Sequence, residues 1–250
     1  MRVIRAICIA FSTYSRLPMP RVRWEDTAAQ NTLGALPLVG FLPGALLLLW
    51  GWLCHTLGLE ALLFACVAAA LPALATGGIH LDGFCDTCDA LASHAPREKK
   101  LEILKDPHLG AFAMIDCAVY FLVSVGLYSE LSSAALPLVA CGFVLSRALC
   151  ALLSVTLPAA RPDGMLAALL PRTQKTHLLL ILALFAAIAA GGMLVLNPLT
   201  GAVALVLCAL WAFGFRALAL RQFGGVTGDL SGFFLTVCEL LILAAGVFAQ

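Results

Sequence analysis

The sequence contains few charged residues. Lys and Arg number 15 and Asp and Glu 14 among 250 residues, so 12% of the chain is charged and the formal net charge is +1. In a soluble domain about a quarter of the residues are charged. A nucleic-acid-binding surface needs a concentration of positive charge that this balance does not provide. We therefore predict no nucleic-acid partner.

The sequence also shows no sign of a disulfide framework or a cleavable leader. Its ten cysteines are scattered, and most lie in apolar runs, where cysteine behaves as a small buried hydrophobe. The apolar stretch 6–11 is short, follows Arg5 and lacks a clear small-residue cleavage site, so we expect no signal peptide. Ile4, Ile7, Cys8 and Phe11 repeat instead at helical spacing. They predict an amphipathic helix on the cytoplasmic membrane surface, and an ordinary packed helix explains the same pattern.

Apolar residues make up 62% of the chain and occur in long runs. Runs of roughly 20 residues predict helices that cross a membrane. The fold class predicted is therefore all-α: a single polytopic membrane domain over residues 1–250, with about seven transmembrane helices after the interfacial helix. Gly40, Pro37 and Pro43 predict a kink or break in the first span, and Asn197-Pro198 predicts a tight turn or a re-entrant hairpin. The predicted spans are 33–53, 59–76, 110–129, 134–157, 177–196, 199–215 and 230–249.

The positive charges lie on one side of this layout. Connections 54–58, 130–133 and 197–198 contain no Lys or Arg. The alternate connections and the N-terminal segment contain all the Lys and Arg residues except Arg147: Arg2, Arg5, Arg16, Arg21, Arg23, Arg97, Lys99, Lys100, Lys105, Arg161, Arg172, Lys175, Arg216 and Arg221. The positive-inside rule predicts a cytoplasmic N-terminus, an external C-terminus and cytoplasmic loops at about 77–109, 158–176 and 216–229.

Three aspartates in the first of these loops share one helix face. Asp82, Asp86 and Asp89 are at positions i, i+4 and i+7. Like charges this close repel unless a cation lies between them, and hard oxygen ligands suit Mg²⁺ bound together with phosphate groups. The row therefore predicts a magnesium site.

Two further polar clusters lie on the predicted cytoplasmic side, at Lys105–Gly110 and Gly224–Asp229. A glycine-rich turn before a helix offers backbone N–H groups to phosphate, Lys105 adds a positive charge, and Asp229 adds a carboxylate. Carboxylates combined with a phosphate site indicate phosphoryl transfer. Ordinary turns and caps, or a Lys105–Asp106 surface ion pair, explain the two clusters separately.

Other polar residues permit more than one interpretation. Cys85 and Cys88 form a single C-x-x-C pair, which suggests zinc binding or redox chemistry only weakly. His80 suits a metal ligand, a phosphate contact or a satisfied residue at the helix edge. Asp116, Arg147 and Glu239 fall inside predicted spans, where ionisable groups usually face the bundle interior. Arg147 and Glu239 have similar depth, so we predict that they pair; the alternative is that Arg147 extends alone to the surface.

The motifs together resemble those of the cobalamin synthase family, the adenosylcobinamide-GDP ribazoletransferases. They occur in the family's order along almost the whole chain, and their combination is far more specific than any one of them. The matching segments are Arg16–Pro20, Pro37–Gly40, Gly77–Asp89, Leu101–Gly110, Ser146-Arg147, Arg161–Gly164 and Gly224–Asp229.

The resemblance implies an enzyme of the bacterial cytoplasmic membrane that joins adenosylcobinamide-GDP to α-ribazole or its 5′-phosphate and releases GMP with the help of Mg²⁺. A homo-oligomer is compatible with it. The implied roles are metal binding for Asp82, Asp86, Asp89 and Asp229; catalysis for Asp89, Lys105 and Asp106; and substrate binding for His80, His108, Arg147, Arg161, Gly224, Gly225 and Thr227.

The chain departs from the family pattern at three positions. Cys85 and Cys88 stand where the family usually has small residues, which favours their interpretation as spacers. His108 stands where the family commonly has Arg, and a histidine is only partly charged at neutral pH. A CDP-alcohol phosphotransferase is an alternative, but Cys85-Asp86 replaces the Ala-Arg dipeptide expected there. A transporter, with polar residues at the membrane midplane, or a non-catalytic scaffold are alternatives from other classes.

Overall fold

The computed structural model describes residues 2–20, 22, 31–161, 164–170 and 175–249. Arg21, Arg23 and Arg172 of the orientation argument, and Pro162 and Asp163 of the Arg161–Gly164 motif, lie outside the described residues. The helices are α1 (Arg2–Tyr14), α2 (Thr32–Val39), α3 (Phe41–Leu57), α4 (Ala61–Thr76), α5 (Ile79–Ala92), α6 (Arg97–Ile103), α7 (Ala111–Glu130), α8 (Leu136–Thr156), α9 (Met165–Leu169), α10 (Lys175–Leu196), α11 (Pro198–Leu218) and α12 (Gly228–Phe248).

Six helical segments in the described part of the chain are long and apolar enough to cross a membrane. They are Thr32–Leu57, Ala111–Glu130, Ser133–Thr156, Lys175–Leu196, Pro198–Phe223 and Gly228–Phe248. A seventh crossing requires α4 and α5 to be counted together, although they meet at a bend of 97°. No strand is found among the described residues, so the predicted all-α membrane bundle is confirmed.

The second predicted span and the connection after it differ from expectation. The helix α4 has only 16 residues, and residues 79–92, predicted to lie in a cytoplasmic loop, form the helix α5. Gly77 and Gly78 have φ angles of 71° and 84°, in the left-handed region, and so allow the sharp turn between the two helices. The residues Phe84, Cys85 and Cys88 are buried, so α5 packs inside the bundle and is not a solvated loop.

The predicted break in the first span is confirmed, because α2 ends at Val39 and α3 begins at Phe41. A Cβ on Gly40 would collide with the backbone of Phe143, so this glycine brings the first span directly against α8. Asn197 forms the predicted tight turn: its Oδ1 accepts bonds from the N–H groups of Leu199 and Thr200, both at 3.1 Å, and so caps α11.

The amphipathic helix α1 packs against α2. Ala6, Ile9 and Ala10 are buried, whereas Val3 and Ile4 are 71% and 66% exposed. The buried face of α1 is therefore rotated from the predicted face that runs from Ile4 to Phe11. On its buried face, α1 is an ordinary packed helix, which is the alternative interpretation. The exposed apolar pair remains available to the membrane interface.

The central helices carry the polar chemistry, and the outer ones are mainly apolar. The segment containing α8 is 72% buried and α12 is 61% buried, whereas the segments of α7, α10 and α11 are only 17%, 22% and 22% buried. In a bilayer, lipid covers those outer faces. Any site held by α8 and α12 is consequently fixed by the most constrained part of the bundle.

The predicted pairing of Arg147 with Glu239 is confirmed. Arg147 Nη1 lies 2.5 Å from Glu239 Oε1, and the same nitrogen donates to the Phe143 carbonyl at 2.8 Å. Ser146 Oγ donates to Glu239 Oε1 at 3.3 Å. Arg147 is fully buried, and the pair joins α8 to α12. Removal of either residue would leave the other as an isolated buried charge.

We expect Arg147→Glu and Glu239→Arg, made singly, each to lower the free energy of unfolding by about 3–5 kcal/mol, because each leaves two like charges buried together. The double exchange should recover a substantial part of that loss. Thermal unfolding of the purified protein in detergent measures the effect. Glu60→Gln, at an exposed position before α4, is the control and should change stability by less than about 0.5 kcal/mol. A double exchange no more stable than the single variants would exclude a pairwise interaction.

Candidate active site

Two glycines allow α5 and α12 to approach through their backbones. A Cβ on Gly83 would lie 2.7 Å from the Asp229 carbonyl oxygen, and a Cβ on Gly232 would lie 2.7 Å from that of His80. Small residues permit such approaches between membrane helices, where packing replaces hydrophobic attraction. The contact brings the acidic row on α5 beside the first turn of α12.

The three aspartates of the row have different surroundings. Asp82 is exposed and lines a cavity, and Asp86 is half-buried. Asp86 lies within electrostatic range of the carboxylates of Asp82, Asp229 and Asp89 and of the Arg161 guanidinium. The predicted shared face is therefore present, and Asp229 extends the row from a second helix.

Asp89 caps the next helix. Its Oδ2 accepts the Gly110 N–H at 2.7 Å and its Oδ1 accepts the Ala113 N–H at 2.9 Å, at the start of α7. A carboxylate in this position satisfies free backbone donors and interacts favourably with the helix dipole. Both oxygens of Asp89 are thus already engaged, which reduces its suitability as the predicted general base.

A short backbone pairing places Arg161 in the same region. The Ala160 N–H donates to the Val226 carbonyl at 3.0 Å, and the Val226 N–H donates to the Pro158 carbonyl at 2.9 Å. Arg161 Nη2 then lies 2.7 Å from Asp229 Oδ2. The buried Arg161 Nε has no hydrogen-bond partner among the described residues.

The glycine-rich turn works differently from the prediction. The N–H groups of Gly224 and Gly225 donate to the Leu220 and Ala219 carbonyls at 3.2 and 3.1 Å, at the end of the π-turn Ala219–Phe223. The Val226 N–H also has a partner, the Pro158 carbonyl. The expectation that the backbone N–H groups of this turn are free to bind phosphate is therefore wrong. A Cβ on Gly225 would collide with the Pro158 carbonyl, so this glycine serves the backbone pairing.

The first turn of α12 holds two further site residues. Thr227 Oγ1 accepts the Leu230 N–H at 3.2 Å as the helix cap and lies 3.2 Å from Asp229 Oδ2. A Cβ on Gly228 would meet no atom within 4 Å, because Gly228 lies at the open side of the cavity. This turn, and not Gly224 or Gly225, is the part of the predicted motif that lines the cavity.

These residues surround a cavity of about 310 Å³. Asp82, Arg161, Thr227 and Asp229 contribute polar groups to its wall. The rest of the wall comes mainly from α1, α2, α5, α8, α9 and α12, with Tyr14, Leu33, Leu36, Ser154 and Leu166 among the contributors. A concave apolar pocket that contains a few convergent polar groups is the usual form of a small-molecule site.

The predicted Lys105–Gly110 cluster lies elsewhere. Lys105, Asp106 and His108 are exposed, and none of them is among the described residues that line the cavity. Asp106 Oδ1 accepts the His108 backbone N–H at 3.0 Å and lies 2.7 Å from the His108 Nδ1. These contacts hold the pKa of Asp106 below its usual range and form a local turn. Only Gly110, through Asp89, connects this segment to the acidic row.

Two other predicted substrate-binding residues lie on opposite sides of the cavity wall. His80 lines the cavity and its ring stacks on that of Tyr14, with centroids 6.0 Å apart and an interplanar angle of 14°. Arg147 does not line it, because Arg147 is fully buried with Glu239. The structure therefore gives His80 access to a ligand and assigns Arg147 to the support of α8 and α12.

The cysteine pair of the C-x-x-C motif is structural. Cys85 and Cys88 are both buried and both free. Within the described residues, no group of three or more His, Cys, Asp or Glu side chains is arranged to hold a metal ion. The interpretation of the two cysteines as spacers agrees with this placement.

The sequence reasoning missed Tyr14, Ser154, Ser231 and the two packing glycines. Gly83 stands between the aspartates of the row, and Gly232 lies one turn after Gly228. A search for small residues on the α5 and α12 faces would have indicated a close helix contact. No local signal distinguishes Tyr14 or the serines, because their role depends on which helices meet.

Comparisons with known proteins cover nearly the whole chain. The sequence profile of the family described as cobalamin-5-phosphate synthase matches residues 6–247. An adenosylcobinamide-GDP ribazoletransferase of Lachnoclostridium phytofermentans is 37% identical over 250 residues, which cover 100% of this chain and 96% of that protein. Proteins with the same name from Azorhizobium caulinodans and Clostridium botulinum are 35% and 30% identical, over 97% and 96% of this chain and 95% of each relative. No solved structure matches the chain.

We expect Gly83→Ala to lower the free energy of unfolding by about 1–3 kcal/mol, because the added methyl group forces α5 away from α12. Thermal unfolding in detergent measures the loss. Gly126→Ala in α7 is the matched control: a Cβ there would meet nothing within 4 Å, and alanine favours the helix by about 1 kcal/mol. Equal stability of Gly83→Ala and the native protein would contradict the close contact.

Proposed function

Because this chain belongs to the cobalamin-5-phosphate synthase family, we propose that it is a membrane transferase that joins adenosylcobinamide-GDP to α-ribazole or its 5′-phosphate. A ribose hydroxyl attacks the phosphorus attached to cobinamide, and the bond from that phosphorus to GMP breaks. The hydroxyl proton passes to a carboxylate of the site. The products are the completed corrinoid and GMP.

The observation that carries this proposal is the meeting of carboxylates with Arg161 at the cavity wall. Arg161 already pairs with Asp229, and its buried Nε has no partner among the described residues. A phosphate oxygen is the acceptor that guanidinium recognises best. Arg161 is therefore placed to bind the diphosphate and to stabilise the negative charge that GMP carries away.

The acidic residues suit a divalent cation bound together with substrate. Mg²⁺ usually takes one or two protein carboxylates and fills its remaining positions with water and phosphate oxygens. The separate positions of Asp82, Asp86 and Asp229, with no complete protein cage in the described ranges, fit that mode. We assign Asp82 and Asp86 as the residues that would hold Mg²⁺, with Asp229 beside them. When bound, the ion neutralises diphosphate charge and supports departure of GMP.

The predicted catalytic residues Asp89, Lys105 and Asp106 lie in two different places. Asp89 positions α7 through its two backbone bonds and so acts on the site indirectly. Lys105, Asp106 and His108 lie at an exposed turn, suited to contact the part of a large corrinoid substrate that remains outside the cavity. The carboxylates available to take the hydroxyl proton are thus Asp82, Asp86 and Asp229.

The orientation in the membrane follows from charge and connectivity. The start of α11 and the end of α12 lie at the same end of the bundle, where Thr200 Oγ1 donates to the Ala249 carbonyl at 2.5 Å. Connections at that end contain no Lys or Arg, whereas the cavity lies at the other end. We propose a bacterial cytoplasmic membrane location with the cavity facing the cytoplasm, which supplies the nucleotide-linked substrate.

We expect Asp82→Asn and Asp86→Asn each to reduce kcat at least 100-fold, because each removes a charged oxygen ligand from the diphosphate site. The assay follows GMP release by purified protein with adenosylcobinamide-GDP, α-ribazole and Mg²⁺. Chelation of the cation should stop turnover of the native enzyme, and added Mg²⁺ should restore it.

Glu98→Gln is the control for charge removal, since Glu98 is exposed on α6 away from the cavity. Its kcat should remain within about twofold of the native value. The assigned site would be refuted if the Asp82 and Asp86 variants kept the kcat of the native enzyme and the same dependence of kcat on Mg²⁺ concentration. Thermal unfolding of each variant separates loss of chemistry from loss of fold.

Membrane orientation gives an independent prediction. Alkaline phosphatase, which becomes active only outside the cytoplasm, should be active when fused after the C-terminal residue and inactive when fused after Glu98. Green fluorescent protein should give the opposite pattern. An active phosphatase fusion at Glu98 would place the acidic row on the wrong side for cytoplasmic nucleotides.

A further inference from the structure

The cavity has two chemically different parts. Its polar part contains Asp82, Arg161, Thr227 and Asp229. Its apolar part is formed by one aromatic stack and by leucines from α2 and α9: Tyr14, His80, Leu33, Leu36 and Leu166. The proposed diphosphate chemistry uses the first part only, so the second part has no role in it.

The apolar part is built to receive a flat ring. The Tyr14 and His80 rings are nearly parallel, and Leu33 and Leu36 are only 2% and 4% exposed. Aromatic faces attract other rings, and leucine side chains favour ring carbons and methyl groups over water.

A pair of hydroxyl groups, on Ser154 and Ser231, also lines the cavity. Ser154 Oγ donates to the Cys150 carbonyl at 2.9 Å, Ser231 Oγ donates to the Thr227 carbonyl at 2.9 Å, and the two oxygens lie 3.1 Å apart. These three contacts share only two hydroxyl protons. The pair is therefore rich in unused lone pairs, and it suits a ligand that donates hydroxyl protons, as a sugar does.

The position of Ser231 connects this pair to the chemistry. Ser231 is two residues after Asp229, in the first turn of α12, and both residues line the cavity. A ribose bound by the serines would lie next to the carboxylates that receive its proton. Its base would then extend toward Tyr14 and the leucines.

The volume restricts which substrate fits. About 310 Å³ is at the lower end of the range for small-molecule sites, roughly 300–1,000 Å³. A nucleoside is of this size, whereas a corrinoid with an attached nucleotide is much larger. The corrin ring cannot enter this volume, so only the GDP part of the larger substrate is small enough to reach it.

We propose that this cavity is the nucleoside subsite, in which the Tyr14–His80 stack and the leucines of α2 and α9 bind the planar base while Ser154 and Ser231 accept hydrogen bonds from the ribose. The assignment rests on the proposed function and adds to it the residues that recognise the nucleoside.

The two halves of the subsite can be tested separately with α-ribazole and free dimethylbenzimidazole. The free base should inhibit competitively against α-ribazole. Tyr14→Ala should raise both the KM for α-ribazole and the inhibition constant of the free base about tenfold. Ser154→Ala and Ser231→Ala should raise the KM for α-ribazole about three- to tenfold and leave the inhibition constant of the free base unchanged, because the base carries no ribose.

Matched controls lie outside the cavity. Phe11→Ala removes a ring from α1, and Ser129→Ala removes an exposed hydroxyl that bonds to the Gly126 carbonyl. Both should leave the two constants unchanged. In the Tyr14 and serine variants, the KM for adenosylcobinamide-GDP should stay within about twofold. Should Tyr14→Ala fail to fold, Leu36→Ala tests the same wall from α2.

Two results would overturn the subsite. The first is that neither Tyr14→Ala nor Leu36→Ala changes the KM for α-ribazole or the inhibition constant of the free base. The other is a raised KM for adenosylcobinamide-GDP in place of α-ribazole, which would show that the larger substrate occupies the cavity. Equilibrium dialysis of α-ribazole with native and variant protein, without Mg²⁺ or the second substrate, measures the same binding independently of turnover. If the proposed reaction is wrong but the subsite is right, the dialysis will still show α-ribazole binding that the variants weaken.

Discussion

The backbone contact between α5 and α12 is the constraint on which the site depends. Gly83 and Gly232 let two helices meet at distances that any larger residue would prevent. Lipid gives helices no hydrophobic reason to associate, so close packing must supply the specificity. Here the contact joins an acidic helix to the start of another helix that carries Asp229. Without it, Asp229 would not lie beside the acidic row of α5, and the proposed diphosphate site would lose one of its carboxylates.

Two ion pairs stabilise this arrangement at different depths. Arg147 and Glu239 form a pair inside the bundle through Arg147 Nη1, and the buried Arg147 Nε and Nη2 have no hydrogen-bond partner among the described residues. Arg161 and Asp229 form an open pair at the cavity, where Arg161 retains a buried donor without a partner in the described ranges. The inner pair holds α8 and α12 together, and the outer pair offers binding capacity to a ligand. The same type of interaction thus joins two helices inside the bundle and, at the cavity, forms part of the proposed site.

Features set by composition and periodicity could be predicted from the sequence. Apolar runs gave the helices, the i, i+4 spacing gave the shared aspartate face, and equal depth gave the Arg147–Glu239 pair. Features set by long-range packing could not. Residues 79–92 look polar enough for a loop, yet they pack inside the bundle. Whether Asp89 caps α7 depends on where another chain segment lies, and that is not encoded in local spacing.

The arrangement also gives a physical reason for placing this chemistry in a membrane bundle. The corrinoid and nucleotide parts of the substrate need water, whereas an apolar base needs a wall that excludes it. The cavity at one end of the bundle suits both needs, because its wall combines polar groups of α5, α12 and Arg161 with leucines of α2 and α9. The outer helices present apolar faces to lipid and enclose the more buried central helices. Embedding the bundle therefore fixes the backbone contact between α5 and α12 without a large soluble core.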